Sequence, residues 1–400
     1  MKYSKTAITQ LTRWYKSVLT KCAILNAVVF ASMALATPAG AETYTERQTN
    51  LATVENGVFE NIDSTNQNGG AIYNTVETSI SGSTFKGNTA KYGSAVYLDK
   101  ANATIDGTFE NNKGSGTVYV KYANASITGT FKNNNGSTYG GGAIYSAGST
   151  NTINEITVGG EYTGNSTGLN GGAIYASSTK LTIADGTTFT NNKSGVSNSS
   201  SAGGGAISIS AKPSSLIIGN NVTFDGNTAG YTANGAVATA PTIKDGGAIN
   251  LGANMSNTPV FGSNVQFKNN KATGTGGAIH SKTNELVVNN GVAFANNEAT
   301  QGGAIALAGN RKVQIGDSTF TGNKAVGESA IGGAIVVSGK VSNYSTAEGA
   351  AAKVETLDVS GATFTGNTSE IAGGAIGQTM ITAYNASQSR PYSRYDNQYQ

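Results

Sequence analysis

Beyond residue 22 the chain has no cysteine, and beyond residue 14 no tryptophan. It holds one histidine and five prolines in 400 residues, and only 12% of its side chains are charged. Each scarcity excludes something. Without paired cysteines there is no disulfide framework, so a packed core and the backbone must hold the chain together. One histidine, His280, cannot build a histidine-rich metal centre, and it reads as a surface residue. No Walker loop, His-Glu-x-x-His or calcium-binding nonapeptide repeat occurs, so no cofactor is expected. Apolar residues at helical spacing are missing too, which argues against an α-helical fold.

The charges are also unevenly placed. Residues 1–21 carry Lys2, Lys5, Arg13, Lys16 and Lys21 and no acid, and the apolar run "CAILNAVVFASMALA" follows at 22–36. Ala39 and Ala41 then stand at A-x-A positions. This order predicts a signal peptide over 1–41, cut before Glu42. The run is shorter than the ~20 residues of a membrane span. Cleavage removes five of the 26 Lys+Arg and none of the 23 Asp+Glu, leaving 21 against 23 and a net charge of −2. The pI of 8.7 therefore belongs mainly to the leader, and no nucleic-acid partner is expected.

What the chain has in abundance is repetition. Phe-x-x-Asn occurs at Phe85/Asn88, Phe109/Asn112, Phe131/Asn134, Phe189/Asn192, Phe224/Asn227, Phe267/Asn270, Phe294/Asn297, Phe320/Asn323 and Phe364/Asn367. Tyr162/Asn165 is a further copy, and Phe59 with Asn61 reads as a compressed first one. Gly-Gly-Ala-Ile starts at Gly69, Gly141, Gly171, Gly204, Gly246, Gly276, Gly302, Gly332 and Gly373, with degenerate copies at Gly93 and Gly116. The two motifs alternate throughout, and a period of ~20–50 residues signals a stacked architecture.

Each repeat contains three strand-like pieces separated by turn residues: the apolar run at the double glycine, a β-branched run such as "LVV" at 286–288, and the lead into the aromatic, such as "STF". About 25 residues per turn suits a parallel β-helix. Stacked coils lie ~4.8 Å apart, so about eleven would make a rod roughly 50 Å long. Phe would stack on Phe inside it, and Asn on Asn would form an amide ladder. The expected organisation is a lead-in or cap over 42–56, β-helix repeats over 57–377 and a disordered tail over 378–400.

Two surface features are candidates for binding. The residue after Gly-Gly-Ala-Ile is tyrosine in five successive repeats: Tyr73, Tyr97, Tyr119, Tyr145 and Tyr175. Later repeats have Ser208, Asn250, His280, Ala306, Val336 and Gly377 there. Strand side chains alternate between faces, so these tyrosines are expected outside as an aromatic strip suited to protein or sugar contacts. Insertions mark the second candidate. The distance from aromatic to next double glycine ranges from 8 residues (Phe294 to Gly302) to 22 (Phe224 to Gly246). Segments 193–203 and 228–245 therefore leave one corner, and 340–356 leaves another.

Alternation of Gly-Gly-Ala-Ile with Phe-x-x-Asn over residues 57–377 resembles the passenger domain of the chlamydial polymorphic membrane proteins and similar autotransporter adhesins. The resemblance implies an all-β, right-handed parallel β-helix, display at the cell surface or outside it, and adhesion to a host-cell receptor or glycan. It also implies an outer-membrane translocator if the full gene encodes one. Within this chain no such barrel is expected, since one needs eight or more strands of ~10 residues and 23 residues follow Gly377. The alternative is a secreted carbohydrate-active β-helix enzyme of the lyase or hydrolase kind. It would need paired carboxylates. Asp106, Asp185, Asp245 and Asp317 mostly sit in Asp-Gly or Gly-Asp turns, a conformational use of aspartate, so no enzyme is expected.

Overall fold

In the coils the chain turns repeatedly on itself, and each strand pairs in parallel with its counterpart one turn later. The structure is a computed structural model. It describes residues 41–136, 140–195, 203–210, 213–230, 244–253, 255–288, 291–308, 312–340 and 356–381. The expected leader, most of the three insertions and the tail from 382 lie outside the described residues. No α-helix occurs among the described residues. The architecture is a parallel β-helix.

Why these residues form coils is visible in the core. Twelve aromatic rings from Tyr44 to Phe364 form one column through the interior, neighbouring centroids being 4.3–5.0 Å apart with nearly parallel planes. The spacing is that of paired strands. Isoleucine, leucine and valine from the other two strand sets fill the rest, for example Ile279, Leu286 and Val288, all 0% exposed.

Beside the rings runs the amide ladder. From Asn88 to Asn367, each asparagine Oδ1 accepts from the backbone N–H of its predecessor's position and, where that predecessor is also asparagine, from its Nδ2. Asn297 is typical. Its Oδ1 takes the Asn270 N–H at 3.0 Å and the Asn270 Nδ2 at 2.9 Å, and its own Nδ2 donates to the Phe267 carbonyl at 3.0 Å and to Asn323 Oδ1 at 2.9 Å. The earlier rungs Asn112, Asn134, Asn165, Asn192 and Asn227 repeat it. Each donates through Nδ2 to the next asparagine at 2.9–3.0 Å. The other Nδ2 bond goes to the carbonyl of Phe85, Phe109, Phe131, Tyr162 and Phe189 respectively. From Asn88 to Asn323 each ladder Nδ2 donates twice, as burial requires.

The corner explains a regularity inside the motif. The residue just before the ladder asparagine is always Gly or Asn, and it has a positive φ, such as 55° at Asn296 and 63° at Gly322. These are the residues that tolerate the left-handed region. The double glycine has a different use. Gly302 has φ +63°, while a Cβ on Gly303 would strike the Gly333 carbonyl oxygen of the next coil. The first glycine turns the chain and the second lets two coils touch.

Identical units could pair one coil out of step. Charge opposes this: Glu60, Lys86, Glu110 and Lys132 are register partners in alternating sign, and so are Lys271, Glu298 and Lys324. Lys271 and Glu298 stand 3.4 Å apart. Such pairs add little stability, but a slip by one coil would set like charge on like.

Three expectations are corrected. The compressed copy is misread, because Ile62 and not Asn61 occupies the ladder position: the Ile62 N–H bonds Asn88 Oδ1, and Asn61 supplies the positive φ of 55°. The lead-in is itself part of a coil: Thr43–Tyr44, Gln48–Thr49 and Thr53–Glu55 pair with the next turn, and Tyr44 stacks on Phe59 at 4.3 Å. The strand Ile376–Ile381 runs four residues past the expected boundary at 377, paired residue by residue with Ile335–Lys340. A fourth strand of two residues, such as Lys271–Ala272, also follows each of several ladder asparagines.

Tyr162 is the one interior tyrosine between phenylalanines. It is 0% exposed, and its hydroxyl has no hydrogen-bond partner. An unpaired buried hydroxyl costs about 1–3 kcal/mol. Tyr162→Phe is therefore expected to raise stability by about 1 kcal/mol, read as a higher urea midpoint with unchanged slope. A lower midpoint would mean that the hydroxyl has a partner in solution.

Candidate functional site

The tyrosine column grows from the strands after the double glycines. In Val118–Lys121, Val118 and Val120 point inward and are 0% exposed, so Tyr119 points outward. Register pairing then sets Tyr73, Tyr97, Tyr119, Tyr145 and Tyr175 side by side in consecutive coils. Their centroids are 5.4, 4.9, 4.7 and 4.8 Å apart, so the column is about 20 Å long. The first four rings are stacked within 14° of parallel, and Tyr175 is tilted by 56° against Tyr145.

This geometry corrects the expected exposed strip. Tyr97 is only 3% exposed, and the other four are half-buried. Each ring rests on its neighbours and against the glycine corner, where a Cβ on Gly116 would stand 2.7 Å from the Tyr145 Cβ. Most ring faces are thus occupied by other rings. The Arg47 guanidinium lies 5.2 Å from the Tyr73 centroid while donating to the Asn68 and Gly69 carbonyls. Tyr92 meets Tyr119 edge-on at 5.2 Å. What remains accessible is a comb of ring edges and hydroxyls.

Its electrostatics are mild. The Tyr73 hydroxyl donates to Asp99 Oδ2 at 3.3 Å, and Lys121 Nζ lies 3.4 Å from the same oxygen. Tyr175 and Ser210 share a hydroxyl hydrogen bond. Burial pushes the Tyr97 and Tyr119 phenols far above the ordinary tyrosine value, with the Asp99 charge adding at Tyr97 and neighbouring tyrosines at both. Burial, then Asp99, also raises Tyr73. Tyr73, Tyr97 and Tyr119 are therefore held neutral, and the comb offers hydroxyls as donors and acceptors.

After Tyr175 the same column is largely covered. Ser208, His280, Ala306 and Val336 are at most 2% exposed, while Asn250 stays half-buried. Ile331, from the segment that precedes the next double glycine, packs over Ala306 and Val336. Apart from Asn250, the accessible part of the column is thereby limited to the tyrosine coils. Strand alternation sets the direction of these side chains but carries no sign of the ridge that covers the later ones.

The ladder asparagines contribute nothing to a surface site. Asn88, Asn112, Asn134, Asn192, Asn227, Asn270, Asn297 and Asn323 are at most 1% exposed, and their amides are spent on one another and on the aromatic carbonyls. No ligand can reach them without parting two coils. Asn367, half-exposed at the last described rung, still gives its Nδ2 to the Phe320 carbonyl.

His280 is accordingly corrected from surface to interior. Its Nδ1 is 2.9 Å from Asn250 Oδ1 and 3.9 Å from Asp245 Oδ2. Asp245 is anchored in turn by the Thr275 N–H and hydroxyl, at 2.9 and 3.0 Å. Burial lowers the His280 pKa to about 4, against the raising effect of Asp245 and with a smaller lowering from Lys282. The neutral ring is what the fold accommodates. Its contribution is complete above pH 6.5 and is lost as the pH falls toward 4, at roughly 1.4 kcal/mol per pH unit inside that window. Unfolding free energies measured from pH 7.5 to 4.5 should show this slope, and His280→Asn should flatten it. An equal slope in the variant would assign it to other groups.

The candidate carboxylates are spread out. Asp185 receives the Asn220 N–H at 2.8 Å and its Nδ2 at 3.1 Å, so the first bond and then the second lower its pKa. Asp317 has the left-handed φ of 48°, and Asp106 accepts from the Thr128 hydroxyl. Each serves its own turn or its neighbour's.

With coil and column defined, the class is a parallel β-helix repeat protein. Residues 264–282 match the family model of the Chlamydia polymorphic membrane protein (Chlamydia_PMP) repeat. That segment spans Phe267, Asn270 and the Gly-Gly-Ala-Ile at Gly276, so the matched unit is the one that builds this rod. Comparison with curated proteins and with solved structures gives no match.

Proposed function

We propose that this chain is the displayed passenger of an autotransporter-type surface protein and that it attaches to host surfaces through the tyrosine comb. The match to the polymorphic membrane protein repeat carries the reading and supports export to the cell surface or outer membrane. The comb supplies the contact. Tyrosine offers apolar area and a hydroxyl at small entropic cost, which is why it dominates recognition surfaces. Because stacking occupies the ring faces, the partner is met by edges and hydroxyls, a geometry that favours a protein receptor over sugars stacked on rings.

Removing the hydroxyls alone tests this. The combined Tyr73→Phe, Tyr119→Phe, Tyr145→Phe and Tyr175→Phe variant keeps the ring packing, so its circular dichroism and unfolding midpoint should stay near those of the parent. Adherence of the purified variant to host cells should fall several-fold. Full adherence by the folded variant would overturn the assignment of contact to the comb.

A further inference from the structure

We propose that the tyrosine column is a site of oxidative cross-linking, in which Tyr119 and Tyr145 join as dityrosine and staple two successive coils. This goes beyond adhesion and does not depend on it.

The proposal begins with what oxidation would find. After residue 22 there is no cysteine, and after residue 14 no tryptophan. A one-electron oxidant reaching residues 41–400 therefore acts chiefly on tyrosine, since methionine takes oxygen without forming a cross-link. Five of those tyrosines stand in one column. Tyr119 and Tyr145 are its tightest pair, with centroids 4.7 Å apart and planes 14° from parallel. Both are half-buried, so their edges are reachable, whereas Tyr97 is 3% exposed. Parallel register pairing holds Tyr119 directly opposite Tyr145. A radical on either ring thus has its coupling partner already in contact. Holding two reactants this way replaces a bimolecular encounter by an intramolecular one, at effective concentrations far above any protein solution.

The chemistry balances with hydrogen peroxide as oxidant and a haem peroxidase as catalyst. Each phenol loses one electron and its hydroxyl proton. The two radicals form one carbon–carbon bond between ring carbons ortho to the oxygens. The hydrogens on those carbons move to the oxygens and restore both phenols. Peroxide takes up the two electrons and two protons and becomes two waters. The protein loses two hydrogen atoms. The product ties one coil to the next in a region that has no disulfide.

The test treats the full-length chain with hydrogen peroxide and a haem peroxidase. Lys121 and Lys132 lie between the two tyrosines, so trypsin leaves Tyr119 and Tyr145 in separate fragments. The expected product is a monomer on denaturing electrophoresis, lighter by two hydrogens, with those two fragments joined. Tyr145→Phe, which keeps a ring in the stack, should abolish the joined fragment. Chain oxidised in denaturant should give scattered links instead. Three results would overturn the proposal: dityrosine in the folded chain only between separate molecules, the 119–145 link formed equally well in denaturant, or a folded chain that gains no dityrosine while the denatured chain does.

Discussion

Phe294→Ala should lower stability by about 3–5 kcal/mol, the usual range for truncating a fully buried phenylalanine. Phe294 is 1% exposed and lies between Phe267 at 5.0 Å and Phe320 at 4.7 Å, with both neighbours within 5° of parallel. Truncation removes two stacking contacts and opens a gap in a column whose backbone spacing is fixed by strand pairing, so the neighbouring coils cannot close it. Phe364, at the other extreme, is only partly buried and, among the described residues, stacks on one ring, Phe320, at 4.8 Å. Phe364→Ala should therefore cost less than half as much. Chemical unfolding of both variants, followed by circular dichroism, measures the difference. Equal costs would mean that the column does not act as a continuous stack.

The second large effect is expected from Asn297→Ala. The loss begins with the acceptor. Asn270 would keep a buried backbone N–H with no partner, and one Nδ2 hydrogen would be stranded. The Phe267 carbonyl would lose the Nδ2 donor that reaches it. Leaving buried groups unpaired costs about 1–3 kcal/mol each, so the three together cost roughly 3–9 kcal/mol, toward the lower end where water enters the opened corner. Asn297→Asp separates the causes. It keeps the acceptor but removes the donor and places a carboxylate in a site that is 0% exposed, so the variant should regain stability as the pH falls and the acid becomes neutral. Stability of the aspartate variant that is independent of pH would argue against a closed ladder.

Much of the fold is legible in the sequence because a solenoid is periodic. Phe294 and Asn297 recur at a fixed spacing of three, the double glycine at Gly302 recurs in alternation with them, and each has one physical use that composition and order reveal. The Gly or Asn before each ladder asparagine is equally visible and marks the left-handed corner, but a motif written Phe-x-x-Asn leaves that position open. Tyr44 and Ile62 are hidden for a different reason. Each occupies a motif position with a residue that the motif does not contain, and only strand register reveals the equivalence.

The sequence by itself determined which residues repeat, that they pair as strands, and that the five tyrosines lie on the face opposite the isoleucine core. These follow from local alternation and period. Tertiary structure alone decided how much of those tyrosines meets solvent and why His280 does not. Exposure depends on the segment that crosses over from the next corner. Ile331 covers Ala306 and Val336, and the Asp245 segment, held by Thr275, closes over His280, while the tyrosines stay half-open against glycine. The contacts of Ile331 with Ala306, Asp245 with Thr275 and Asp245 with His280 join residues 25 to 35 positions apart, so a local pattern carries no record of them.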